Sequence, residues 1–116
     1  MKEIKAYVHR NRVADVIAAI KASAAWGKSA KAHGHNLAVY MVKGSLFPLA
    51  DGERHYSLDL GDEMVNEYKL ELLCDATEVD ELVETIRTTA RTGQPHAGWI
   101  TVTDLDRAVE VSGMSS

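Results

Sequence analysis

TTARTGQPHAGWITV, residues 88–102, is the stretch from which the rest of the chain can be ordered. It divides into the end of a helix, a turn stopped by glycine and the beginning of a strand. Gly93 stands just past the helical pattern, where a left-handed cap costs least without a Cβ. Pro95 cannot continue a helix. Gly98 lets backbone come close to whatever lies over it. Trp99, Ile100, Thr101 and Val102 then have strand composition. A helix-to-strand turn with free N–H groups and two glycines can cradle an anion. An ordinary helix-to-strand loop is the competing reading.

Moving backwards, Val79, Leu82, Val83 and Ile86 form one helical stripe, which predicts a helix over 79–92. Thr77 is positioned to cap it, with Asp80 three residues on. Before it, residues 68–73 (YKLELL) alternate as a strand, with Tyr68, Leu70 and Leu72 on one side and Lys69 and Glu71 on the other. Residues 43–67 are broken by Gly44, Pro48, Gly52 and Gly61, and Asp51-Gly52 is a hairpin dipeptide. A loop of this length in a small domain is functional or disordered. Residues 37–42 (LAVYMV) are an almost wholly apolar strand, expected to be buried on both sides or in an oligomer interface. Residues 26–36 (WGKSAKAHGHN) lack periodicity. Val13, Val16, Ile17 and Ile20 predict a helix over 13–25, with Asn11 as its cap. Ile4, Ala6 and Val8 mark the first strand. After the opening stretch, residues 108–111 read as a short final strand, and 112–116 as a frayed tail.

The order is therefore βαβ, a long loop, βαβ and a short terminal strand, with two halves on one plan. Such a split arrangement closes into an antiparallel sheet with both helices on one face, an α+β fold of the ferredoxin-like βαββαβ kind. The other face is left bare, and the economical cover is another copy of the chain.

Composition agrees. The 116 residues suit a single domain, 1–116, and 46% are hydrophobic, so the chain is globular. A net charge of −4 argues against general nucleic-acid binding. The single Cys74 excludes an internal disulfide and suits a reducing compartment. Met1-Lys2-Glu3-Ile4 runs straight into a strand pattern, so no signal peptide is expected, and no apolar run approaches membrane-spanning length. The expectation is a cytoplasmic protein without membrane insertion.

At this point a family resemblance enters. MKEIKAYV (residues 1–8) resembles the opening strand of the PII signal-transduction proteins. VKG (42–44) resembles the end of their second strand, just before the T-loop, here about 44–66. EYKLELLC (67–74) resembles the strand that follows it. TARTGQPHAGWITV (89–102) resembles the family signature TAxTGxxGDGKIFV, whose turn is the B-loop, here about 93–99. The resemblance covers nearly the whole chain, with one insertion at 26–36. It implies a homotrimer with three clefts between subunits, an adenine nucleotide in each, and a T-loop that changes shape with the ligand and acts on a protein target. Residue by residue, it implies cleft lining by Tyr7, Lys43, Gly44, Leu73, Pro95, His96, Ala97, Gly98 and Trp99.

The departures shape the functional expectation. The family's GDGK is His96-Ala97-Gly98-Trp99, so its phosphate-binding lysine is a tryptophan here. Its paired terminal arginines fall at Val109 and Val111, and the lysine opening its third strand falls at Glu67. Each charged phosphate contact contributes roughly 1.5–3 kcal/mol, so ADP or AMP is easier to hold than ATP. Trp99 offers a stacking surface for a base, with core packing as the equal alternative. Arg107, Arg91 and Arg54 are the replacement phosphate partners, or solvated surface charges. The uridylylated tyrosine of the family falls on Leu60, with Tyr56 nearby but not aligned. Residues 36–46, YSLDLGDE (56–63) and the AGW of the B-loop look closest to a carboxysome-associated PII-like branch. That resemblance implies bicarbonate as a further ligand, with Arg54 as its candidate anion partner, and a target in inorganic-carbon assimilation.

The alternative is a metal-responsive PII-like protein tied to metal transport or resistance. His33 and His35 lie two apart, with His55 and His96 elsewhere, yet His-x-His without Cys or carboxylate support is a sparse ligand set. No nucleophile–base spacing or metalloprotease motif points to an enzyme. Cys74, among strand neighbours, reads as a small core residue. Trp26 and Tyr40 are candidates for an interface or for the core.

Overall fold

The computed structural model describes residues 1–27, 37–44, 54–57, 62–93 and 98–111. Its elements run β1 (Lys2–His9), α1 (Val13–Ala22), β2 (Leu37–Gly44), β3 (Arg54–Ser57), β4 (Asp62–Cys74), a 3-10 turn (Ala76–Glu78), α2 (Val79–Thr89) and β5 (Gly98–Asp104). The chain is a small α+β domain built on one antiparallel sheet of order β2-β4-β1-β5. That order is compatible with a ferredoxin-like arrangement, in which the first and third main strands share the centre.

The centre is set by strict alternation. Ile4 lies opposite Leu72 and Ala6 opposite Leu70, all four at most 1% exposed. Their strand neighbours Lys5, Tyr7, Lys69 and Glu71 point to the other face, because successive side chains of a strand alternate. Onto the apolar face α1 lays Val16 and Ile20, and α2 lays Leu82 and Ile86, each at most 1% exposed. The two helices use the same i, i+3, i+4, i+7 stripe, so both sit on one side of the sheet.

Between the helices runs one directed contact. Arg12 donates from Nε and Nη2 to the Thr89 carbonyl at 3.0 and 2.7 Å, and its Nη1 pairs with Asp15 at 3.0 Å. One guanidinium thereby satisfies an orphan carbonyl at the end of α2 while holding the first turn of α1. Glu81 of α2 accepts the Ala25 N–H at 2.5 Å, which fixes the short helical turn over 24–27.

Several sequence expectations change in detail. Helix α1 stops at Ala22, because Ser23 turns to extended backbone and its hydroxyl donates to the Ile20 carbonyl at 2.6 Å. Trp26 is a core residue, 7% exposed. Neither Asn11 nor Thr77 is a helix cap. Asn11 donates its backbone N–H to His9 Nδ1 at 3.1 Å, and Thr77 is absorbed into the 3-10 turn that leads into α2. Helix α2 ends at Thr89, and Gly93 does adopt positive φ (83°), but three residues beyond the Ala90 C-cap. Cys74 is buried at 2%, and desolvation, aided by Glu78 and Asp75, pushes its thiol pKa up to about 11, as befits an inert core side chain.

The third sequence strand is much longer than its alternation suggested. β4 spans 13 residues and reaches back into the loop region as far as Asp62. There it pairs with β3, Arg54 opposite Val65 and Ser57 opposite Asp62. Gly44 of β2 also lies opposite Val65. A strand residue has one partner on each side, so β3 occupies the side of β4 that β1 leaves free beyond His9. The expected turn at Asp51-Gly52 lies outside the described residues.

The short terminal strand is not formed. After β5 the Leu105 N–H reaches the Met1 carbonyl at 3.3 Å, and residues 107–111 then run without a ladder partner among the described residues. Val109 and Val111 are 69% and 97% exposed. Strand composition alone does not make a strand without a ladder partner.

Truncating Ile86 to Ala should lower unfolding free energy by about 2–5 kcal/mol in a urea titration, since the residue is fully buried between sheet and helix.

Candidate ligand-binding site

The face of the sheet away from the helices is covered by no described element. Reading the register across it gives one row of directly opposed side chains: Tyr40 on β2, Lys69 on β4, Tyr7 on β1 and Trp99 on β5. The Lys69 ammonium lies 5.4 Å from the ring centroids of both Tyr7 and Tyr40. Two aromatic faces therefore share one cation. Glu71, one pair along, accepts the Tyr40 hydroxyl at 2.7 Å and lies 3.4 Å from Lys69. The Tyr40 contact foremost, then Tyr7 and Glu71, raises the Lys69 pKa against the opposing effect of desolvation. The Tyr40 hydrogen bond and then Lys69 hold the Glu71 carboxyl below its usual range. Trp99 closes the row at the β5 edge with 66% of its surface exposed.

This row contains three residues singled out from the sequence, Tyr7 and Trp99 as cleft lining and Tyr40 as an interface or core candidate. Their neighbour Gly98 lies opposite Val8 at the start of β5. A Cβ on Gly98 would run into the Tyr7 carbonyl oxygen, so the close backbone approach expected of this glycine is to the chain's own β1. The glycine thus has a structural duty in the β1–β5 ladder, and a bulky substitution there cannot isolate ligand binding.

The remaining candidates fall into two groups. Lys43 is exposed near the end of β2 and Gly44 closes that strand, while Arg54 opens β3 beside the same Val65. Lys43 and Gly44 sit at the same end of the sheet as Gly98 and Trp99 but across it, β2 and β5 being three strand spacings, about 14 Å, apart, whereas Arg54 at that end lies on the β1 side of β4. Leu73 lies on the open face opposite Glu3, four residues from Tyr7 along β1 and so about 13 Å away. Arg107 is exposed beyond Asp104, which pairs with Lys2 at that far end. One chain therefore does not gather these residues into a single cavity. Pro95, His96 and Ala97 lie outside the described residues, as do His33 and His35. Among the described residues there is no group of three or more His, Cys, Asp or Glu side chains able to hold a metal ion.

Lys69 and Glu71 are the functional-looking residues that sequence reasoning passed over. They registered only as the polar half of an alternating strand. The signal that identifies them is cross-strand register, which places two tyrosines from different strands on either side of one lysine.

The chain matches no protein-family model, and no curated protein matches it. Among the described residues no helix is long and apolar enough to cross a membrane.

Two outcomes test this geometry. Gly98→Ala should destabilise the fold by about 1–3 kcal/mol in thermal or urea unfolding, because β1 and β5 must separate to admit the methyl group. Tyr40→Phe should move the Glu71 titration midpoint, read by carboxyl NMR, upward towards the ordinary value of 4.5, since its largest stabilising contact is lost. In the parent chain the folded pKa of Glu71 is the depressed one. Its contribution to stability is therefore present above the ordinary carboxylate pKa and fades as pH falls through the lower folded value.

Proposed function

We propose that this chain is a non-enzymatic PII-like allosteric sensor. As a homotrimer it binds an adenine nucleotide, ADP or AMP in preference to ATP, in clefts between subunits. Occupancy is signalled to a protein target through residues 44–66, and bicarbonate is the second effector, with Arg54 as its anion partner. The target class is a component of inorganic-carbon assimilation.

One observation carries this reading. Tyr7, Gly98 and Trp99 on β1 and β5, and Lys43 and Gly44 on β2, occupy the same end of the sheet at well-separated positions, with Arg54 on β3 between them. A head-to-tail contact that brings the β2 edge of one copy to the β5 edge of the next joins the two sets into one site. A heterologous contact closes into a ring when its rotation divides the full circle. Trp99, exposed at the β5 edge, then supplies a flat face for a base, and Lys43 supplies charge for a phosphate. The preference for a short phosphate chain follows from Trp99, Glu67, Val109 and Val111, which stand where the resemblance would have cations.

Calorimetry with AMP, ADP and ATP, each with and without bicarbonate, tests the ligands. AMP and ADP should bind, ATP more weakly, and bicarbonate should shift at least one affinity. Lys43→Ala and Trp99→Ala should each weaken binding about tenfold or more with the melting temperature nearly unchanged. Mixing the two variants should regenerate some full-affinity sites, because one cleft can then draw its lysine and its tryptophan from different copies. Binding without any such rescue would place the site inside one chain and sink the shared-cleft reading.

A further inference from the structure

His9 is the last residue of β1 and is 1% exposed. By alternation it belongs with Lys5 and Tyr7 to the face away from the helices. Directly opposite it on β4 stands Glu67, itself 5% exposed. The same histidine closes the turn into α1. Its Nδ1 accepts the backbone N–H of Asn11 at 3.1 Å, and its carbonyl accepts the backbone N–H of Arg12 at 2.9 Å.

A backbone amide can only donate, so Nδ1 presents a lone pair and the ring is neutral, with its proton on Nε2. This is the plan of an Asx turn, in which a side-chain acceptor holds the N–H two residues on, built here with histidine. Histidine differs from asparagine in one respect: its acceptor takes up a proton, and ordinarily does so between about pH 5 and 8. A second proton, on Nδ1, turns the acceptor into a donor and sets two N–H groups against each other. The bond to Asn11 then breaks.

A buried imidazolium needs a compensating charge. Glu67 provides it from directly across the ladder, where opposed Cβ atoms lie about 4.5–5.5 Å apart. The cations near the site are Lys69, diagonal to His9 on β4, and Arg10 and Arg12 in the turn itself. On β1 itself Tyr7 is the next side chain along this face. The remaining elements bring no further charge to the ring among the described residues. On β2 Val42 lies across from Glu67, on β5 Gly98 lies across from Val8, and Asp15 of α1 is paired with Arg12.

We propose that His9 is a proton-operated latch on the turn between β1 and α1. The neutral ring holds Asn11; the protonated ring lets Asn11 go, and its charge is met by Glu67. The turn carries Arg12, whose guanidinium holds the Thr89 carbonyl at the end of α2, so release passes to the segment that joins α2 to β5. The latch is closed on the alkaline side of the His9 transition and open on the acid side. It stands on this geometry alone and needs neither a trimer nor a nucleotide.

Nitrogen-15 NMR of the intact chain between pH 8 and pH 5 tests the latch. At pH 8 the His9 ring, identified by its absence from His9→Asn, should show a bare Nδ1 and a protonated Nε2. As pH falls, the Asn11 amide should lose hydrogen-exchange protection by about tenfold or more beyond the intrinsic change, with the same midpoint as the ring. His9→Asn supplies an acceptor that does not titrate, so Asn11 should stay protected through the whole range. Glu67→Gln removes the compensating charge, and the Asn11 transition should move about one pH unit lower. A proton on Nδ1 at pH 8 overturns the proposal, as does Asn11 protection that ignores the ring's transition. A ring that stays neutral down to pH 5, or a transition unmoved in Glu67→Gln, overturns it too. If either variant fails to fold, the titration of the parent chain decides alone.

Discussion

Ile4 facing Leu72 and Ala6 facing Leu70 give the molecule its centre, and that register constrains the rest. A slip of one residue between β1 and β4 would carry either Lys5 and Tyr7 or Lys69 and Glu71 under the helices and expel that strand's apolar set to water. With the register fixed, α1 and α2 have a single apolar face to cover, and both take it. The other face is then committed to whatever the alternate positions hold. What they hold is charged and aromatic, and it forms a connected row rather than a scatter.

That row explains why a face without helical cover is still ordered. Lys69 keeps its charge because two tyrosine rings and a carboxylate surround it, and Tyr40 keeps its place because its hydroxyl donates a hydrogen bond to Glu71. The side chains come from β2, β4 and β1, so the row also ties an edge strand to the two central ones. Trp99 extends the row to the opposite edge without a comparable partner among the described residues. An aromatic ring presented this way is suited to stacking, and its neighbour Gly98 is fixed by its closeness to β1 rather than by any ligand.

Both edges of the sheet carry unfinished business of the same kind. β2 shows apolar side chains to solvent, and the segment after β5 does likewise at strand spacing. Of the candidate ligand residues, Lys43 and Gly44 lie at the β2 edge and Gly98 and Trp99 at the β5 edge.

Much of this was legible in residue order. Alternation in residues 68–73 and 4–8 identifies the two central strands, and the Val79, Leu82, Val83, Ile86 stripe identifies α2, because periods of 2 and 3.6 follow from backbone geometry alone. The positive φ at Gly93 and the close approach at Gly98 could be foreseen, because only glycine tolerates them freely. Caps were misread at Asn11 and Thr77, since a side chain able to cap has other hydrogen-bond partners nearby and only the folded backbone selects among them. The reach of β4 down to Asp62 was hidden, because pairing with β3 rather than local pattern extends it. Residues 108–111 have the composition of a strand and are not one, because a strand also requires a ladder partner and they take none among the described residues. The Tyr40–Lys69–Tyr7–Trp99 row is purely a product of tertiary structure: its members are scattered over more than ninety positions, and only the antiparallel register of four strands sets them side by side.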